Sequence, residues 1–373
     1  MTPSNRPILL TLAALAAVIV IVVAALSGFG TTPNPDALGT PEPTPTMPPP
    51  PTGITLLTHD SFAVTPEVLA LFESDHNARV KVLRAGDAGA MVNQAILTKD
   101  NPLADVLFGV DNTFLSRALD AGIFESYHAT GVDSVPAALR LDARERVTPI
   151  DYGDVCVNSD LSAYSAANPA PQTLEDLAKP AYRSQLVVED PGTSSPGLAF
   201  MLATIAHFGE SGSYTWLDYW RDLRANDVTI VSGWQEAYDS TFSGGSGGGD
   251  RPLVVSYATS PVAEVFYAPS PQPTESPTGV MTDGCFRQVE FAGVLAGAKQ
   301  PDLAKALVDY MLTASFQADI PLNMFVFPAV PTATVPQVFG EFAVKVPAPL
   351  TMAPEQIGAN RDRWINEWSA AAH

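Results

Sequence analysis

Residues 8–29 carry no charged side chain. As a helix this run would extend about 33 Å at roughly 1.5 Å per residue, enough to cross a hydrocarbon core. Arg6 and the terminal amine precede it, which predicts a cytoplasmic N-terminus and an extracytoplasmic remainder. A cleaved signal sequence is the competing reading. Its apolar region is ordinarily shorter, about 7–15 residues, although Ala25-Leu26-Ser27 offers small residues for cleavage. Residues 1–30 are therefore read as a transmembrane anchor or a signal sequence. The first places the chain on the outer face of the cell membrane, and the second makes it secreted or periplasmic. Residues 31–53 form a Pro-rich linker, with prolines at 48–51 in succession. Such a stretch supports neither helix nor sheet and reads as an extended, semi-rigid stalk.

The 373 residues are 46% hydrophobic and only 16% charged, which excludes a largely disordered chain and permits a substantial core. Asp plus Glu number 40 against 20 Lys plus Arg, a formal net charge of -20. No nucleic-acid partner is expected, because phosphates require a basic face. Acidity suits a cationic ligand only weakly, since it serves solubility as well. Cys156 and Cys285 are the two cysteines, and outside the cytoplasm a single disulfide is the default. There is no CxxC and no HExxH, so neither a metal nor a cofactor is expected.

From residue 54 the sequence alternates strand-like and helix-like segments. Residues 54–58, 79–83 and 104–110 read as strands; Thr65-Pro66-Glu67 opens a helix, and 89–98 reads as another. The pattern continues with strands at 185–189, 228–231 and 253–257 and helices at 197–207, 301–312 and 354–369. This βαβ order predicts an α/β fold with a mainly parallel sheet covered on both faces. Residues 243–249 and 269–277 read as exposed loops. Gly244-Gly245-Ser246-Gly247-Gly248 matches the GxSxG elbow only formally, because no strand–turn–helix context surrounds it.

Ligands of open α/β sheets sit beyond the carboxyl ends of the strands. Those ends carry two chemistries here. Residues 193–197, including Ser194, Ser195 and Gly197, form a small-residue turn leading into a helix, suited to an anion but equally an ordinary cap. Trp234, Tyr238, Tyr257, Phe325 and Phe327, with Asp87 and Asp111, would suit a flat organic cation held between ring faces and carboxylates. Each ring is as readily core packing, and Asp60 and Asp111 are as readily turn-formers. No nucleophile has a His at motif spacing, so no catalytic residue is assigned and the chain is read as a non-enzyme.

Taken in order, several stretches resemble the thiamine-binding substrate-binding proteins of ABC importers, across nearly all of 54–370. They are Thr58-x-Asp60-Ser61-Phe62, Ala104-Asp105-Val106-Leu107-x-Gly109-x-Asp111-Asn112, Asp151-Tyr152-Gly153 and Asp190-Pro191-x-Thr193-Ser194-x-Pro196-Gly197-Leu198. Then come Gly233-Trp234-x-Glu236-Ala237-Tyr238, Ser256-Tyr257-x-Thr259-Ser260-Pro261, Ile320-Pro321 leading to Pro328, and Arg363-Trp364-Ile365-x-Glu367-Trp368.

The resemblance implies a two-lobed periplasmic-binding-protein-like fold with a hinge: 54–155 as the first part of lobe 1, 156–284 as lobe 2, and 285–373 as the return to lobe 1 with C-terminal helices. It implies closure on a small molecule, thiamine, thiamine monophosphate or thiamine diphosphate, and an ABC permease as partner. Asp87 resembles the carboxylate that bonds the aminopyrimidine, Ser194 the site of the hydroxyl or phosphate, and Trp234 and Tyr257 ligand-facing rings. His59 stands where Tyr is expected, Ala263 where an aromatic is expected and Phe325 where a Trp is expected. The ligand set implied is therefore His59, Asp60, Asp87, Asp111, Ser194, Ser195, Gly197, Trp234, Tyr238, Tyr257 and Phe325. A Cys156–Cys285 bridge would tie the hinge strands. The rival readings are a binding protein for a polyamine or ferric iron, and a thiamine-degrading enzyme on the same scaffold, for which neither cysteine has a base nearby in sequence.

Overall fold

The computed structural model describes residues 49–245 and 248–372. The expected anchor, nearly all of the stalk, and Ser246 and Gly247 of the GxSxG match lie outside the described residues. Among the described residues no helix is long and apolar enough to cross a membrane.

The first elements are β1 (Thr52–Thr58), α1 (Pro66–His76), β2 (Ala78–Arg84), α2 (Ala88–Leu97), β3 (Val106–Asp111) and α3 (Leu115–Asp120). A long strand β4 (Thr148–Asp160) leads to α4 (Leu174–Leu177), β5 (Leu186–Glu189), α5 (Ser195–Phe208), α6 (Trp216–Ala225), β6 (Thr229–Val231), β7 (Leu253–Tyr257) and α7 (Ser260–Phe266). The chain returns through β8 (Thr278–Val294) and ends with α8 (Pro301–Met311), α9 (Ala314–Asn323), β9 (Phe327–Pro328), α10 (Gln337–Phe342) and α11 (Pro354–Ala372).

The sheet order is β2-β1-β3-β8-β4-β7-β5-β6, with β9 beside β4. Its two wings, β2-β1-β3 and β7-β5-β6, are parallel, as the βαβ pattern predicts. Its centre is not: β3–β8, β8–β4 and β4–β7 are antiparallel. The expectation of a mainly parallel sheet is corrected to a mixed one. The reason is local composition. The strand segment Thr-Pro-Ile-Asp-Tyr-Gly-Asp of β4 lacks the apolar run of a buried parallel strand, yet it is held by pairing on both edges.

β4 and β8 run beside each other through both wings, and Cys156 and Cys285 are disulfide-bonded between them. Arg287 of β8 pairs with Asp154 of β4 two residues from that bridge in each strand, and its guanidinium lies 4.9 Å over the Tyr152 ring. The described part is thus a two-lobed α/β fold in which paired strands carry the chain from one lobe to the other. In the 243–249 segment Gly245 and Gly248 are exposed as expected, whereas Gly244 is buried and the Ser243 hydroxyl donates to Asp160 Oδ2 at 2.7 Å. The 269–277 segment is largely exposed.

Candidate functional site

Strand ends from both wings converge on one cavity of about 410 Å³. His59 follows β1 and Asp87 caps α2; both come from the first wing. Ser195 lies in the first turn of α5, Trp234 follows β6, Tyr238 sits in a π-helical turn Glu236–Thr241, and Tyr257 ends β7. Phe325 comes from the segment after α9, and Ala263 of α7 completes that wall. Of the residues implied by sequence, Asp60, Asp111, Ser194 and Gly197 do not line this cavity.

Each of those four has a position in the turns behind it. Asp60 Oδ1 accepts the Gly86 N–H at 3.0 Å, joining the turns after β1 and β2. Asp111 is fully buried and accepts the Thr113 hydroxyl at 2.8 Å and the Phe114 N–H at 3.3 Å. Ser194 is the N-cap of α5, and its buried hydroxyl has no partner among the described residues. At Gly197 a Cβ would lie 2.4 Å from the Glu189 carbonyl oxygen, so glycine is what allows α5 to start against the end of β5.

Ring contacts and hydrogen bonds fix the rings around the cavity. Trp234 stacks on Tyr238, centroids 5.1 Å apart and planes 18° apart. The Trp234 indole N–H donates to Ser256 Oγ at 2.9 Å, and Tyr238 OH donates to Glu264 Oε1 at 2.8 Å. Tyr257 OH donates to Gln288 Oε1 at 2.8 Å. Phe325 holds φ +54, a sparsely populated conformation for an aromatic residue, with its carbonyl accepting the Thr259 hydroxyl. Its ring meets Tyr267 edge-on at 5.6 Å. Rotamers anchored in this way cost little further entropy on binding a flat ligand.

Sequence reasoning missed Tyr267, Glu264, Gln288 and Glu290, all of which line the cavity. Tyr267 is one helical turn beyond Ala263 and supplies a ring on the side where that alanine supplies none. Gln288 and Glu290 are two apart in β8 and so face one side of the sheet. Two polar residues at that spacing, alternating with the apolar Val289 and Phe291, were the available signal.

The cavity is electrostatically acidic. His59 Nε2 lies 3.5 Å from Glu290 Oε1. Burial alone lowers the His59 pKa, but the Glu290 carboxylate, with Asp87 and Asp60, outweighs it and leaves the pKa above the ordinary 6.5. Asp151, 1% exposed on β4, is pushed well up by burial and by Glu290. Burial, opposed by the hydroxyls of Thr113 and Ser195 and the Phe114 N–H and aided by Glu290, pushes Asp111 up to about 7. Glu189 is likewise raised by burial and by Asp87.

Asp87 also joins the two sides. Its Oδ1 accepts the Ala88 N–H at 2.6 Å and its Oδ2 accepts the Trp234 N–H at 2.9 Å. Beside it the Ala90 N–H donates to the Thr193 carbonyl at 3.2 Å. The walls thus meet over the cavity through one carboxylate and one backbone bond. Such an arrangement can enclose a small organic cation.

The profile of the bacterial extracellular solute-binding proteins matches residues 101–347. A thiamine-binding periplasmic protein of Escherichia coli is 31% identical over 323 residues, covering 85% of this chain and 93% of that protein. One from Brucella melitensis is 29% identical over 325 residues, covering 85% and 91%. A solved periplasmic thiamin binding protein superposes with TM-score 0.75 at 28% identity, covering 87% of this chain and 97% of that one. The long returning strands, the cavity between two wings and these similarities agree: the chain belongs to the bacterial extracellular solute-binding proteins, in the group that contains the thiamine-binding periplasmic proteins.

Proposed function

We propose that this chain captures thiamine or one of its phosphate esters outside the cytoplasm and delivers it to an ABC permease. The observation that carries the reading is the cavity itself: a ring-walled, carboxylate-bearing space of about 410 Å³ closed by Asp87, in a chain similar to thiamine-binding proteins. Thiamine is flat, permanently cationic and carries a polar arm. Trp234, Tyr238, Tyr257 and Phe325 supply ring faces for it. Asp87 supplies lone pairs beyond the two N–H groups it already accepts, and these suit the aminopyrimidine. Ser195, with the N-terminal N–H groups of α5 and Ser194 behind it, suits the hydroxyethyl or phosphate arm.

Binding works by closure of lobe 54–155 with 285–373 onto lobe 156–284, and no bond is made or broken. Residues 1–30 are read as an anchor or a signal sequence, and the stalk as ending before β1, which begins at Thr52. An anchor keeps the whole chain in the membrane pellet, whereas recovery of a shortened soluble chain would establish cleavage.

The test is calorimetric titration of refolded, ligand-stripped protein with thiamine, thiamine monophosphate and thiamine diphosphate. Submicromolar binding of any of the three is expected. Binding of none would assign the site to a different organic cation and would trace the change to His59, Ala263 and Phe325.

A further inference from the structure

Beside Asp87, Asp239 and Glu264 the cavity holds a further acidic group that neither the sequence reading nor the ring wall accounts for. Glu290 points into it from β8, with its side chain 11% exposed. Its partner is His59, also 11% exposed, across 3.5 Å. The His59 ring has a built seat. Gly109, at φ +99, leaves the space it occupies, and a Cβ there would fall 2.2 Å from His59 Cδ2. Among the described residues no lysine or arginine lines the cavity, so His59 is the group in that lining that can carry positive charge at neutral pH.

The titratable groups nearest this pair are mostly acidic. Asp60 comes from the turn after β1, Asp87 from the start of α2, Asp111 from the end of β3 and Asp151 from β4. Tyr257 of β7 lies in the same field with its hydroxyl held neutral, and Arg361 of α11 lies on the far side of Phe114, toward Asp111. A buried carboxylate without a counter-charge is costly, so Glu290 needs a cation whether or not the cavity is filled.

We propose that His59 and Glu290 form a proton-for-cation exchange pair: protonated His59 neutralises Glu290 in the empty cavity, and an entering organic cation takes over Glu290 while His59 gives its proton to solvent. The charge balances, since one cation enters for one proton lost. Two cations in contact with Glu290 at once would repel each other, and that local repulsion is the force that expels the proton. Glu290 is then the residue that selects for a permanent positive charge, and His59 sets how that selection depends on pH. This rests on the proposed thiamine reading for its ligand, but the pair itself can be observed without one.

Two experiments test it. In the ligand-free protein, the His59 ring signals followed by NMR should titrate above the ordinary imidazole range, and Glu290→Gln should move that titration down. Thiamine titrated in buffers of different ionisation enthalpy should release close to one proton per molecule bound near pH 6.5. Affinity should rise by up to roughly tenfold per pH unit through the His59 titration and then level off. His59→Gln should abolish the proton release and flatten the pH dependence of whatever binding it leaves. A ligand-free His59 titration at or below the ordinary value, or wild-type binding without proton release, overturns the exchange. Failure of thiamine to bind, with His59 still titrating high and falling in Glu290→Gln, overturns the solute instead and leaves the pair established for another cation.

Discussion

Asp111 shows at the scale of one residue how position decides chemistry. Its place after a strand made it a candidate for the ligand, yet it is sealed behind Ser195 and bonded to its own turn. Burial moves its pKa from the ordinary 3.8 to about 7. Between those values the folded state binds a proton that the unfolded chain has released, so stability is full below the lower value and falls as pH rises through the upper one. Asp151 and Glu189, raised by the same burial, add slope of the same sign. Denaturant unfolding should therefore show greater stability near pH 5 than near pH 8. Asp111→Asn should remove about one proton from that linkage, on the order of 2–4 kcal/mol across the interval. An unchanged pH slope would mean Asp111 is ionised in the fold. Residue identities such as Asp87, Trp234 and Tyr257 were legible because they stand at strand ends in the sequence. Glu290 and Gln288 were not, because they lie inside a strand whose direction and neighbours sequence does not reveal.

At the scale of elements, the glycine-rich segment between β6 and β7 is exposed at Gly245 and Gly248 yet packs closely on its neighbours. Low-complexity sequence reads as a free loop. Here Gly245, at φ +58, passes so close to Glu264 that a Cβ would lie 1.9 Å from its Oε2, and Gly249 would clash with the Thr241 backbone. Glu264 in turn accepts the Tyr238 hydroxyl, and Tyr238 backs Trp234. The loop therefore braces the ring wall. Gly245→Ala should cost about 1–2 kcal/mol from the left-handed backbone alone. It should also weaken ligand binding by displacing Glu264, as read by thermal unfolding beside calorimetry. Lower stability with unchanged affinity would show that Glu264 does not hold the wall. The wing strands were readable from β-prone runs bounded by turns. β4 and β8 were not, because Asp, Gly, Asn and Arg interrupt them and only pairing on both edges makes them strands.

The whole molecule is held by what joins the two wings away from the cavity. α11 reaches both: the Arg361 guanidinium lies 4.6 Å over Phe114 beside α3, while Trp368 packs edge-on against Trp220 of α6 at 5.5 Å and Trp364 Nε1 donates to Glu210 Oε2 at 2.9 Å. The disulfide closes a sequence separation of 129 residues between the two long strands. A loop that long constrains the unfolded chain strongly, and removing a native bridge typically costs about 2–5 kcal/mol. Replacing Cys156 and Cys285 together by Ser should lower the unfolding free energy by that amount. It should change thiamine affinity far less, because neither cysteine lines the cavity. A large loss of affinity at full folding would instead make the bridge part of closure.

What sequence determined by itself is local. Strand and helix runs, the turn residues at strand ends, the ring and carboxylate types found there and the resemblance all follow from short-range pattern, because hydrophobic period and turn chemistry are written in neighbouring residues. Only the tertiary structure decided that the sheet is antiparallel at its centre, that Asp87 bonds across the cavity mouth, that a glycine loop braces the rings, and that His59 meets Glu290 at a separation of more than two hundred residues. Those outcomes depend on which distant segments are buried together, and desolvation and charge pairing act on neighbours in space rather than in sequence.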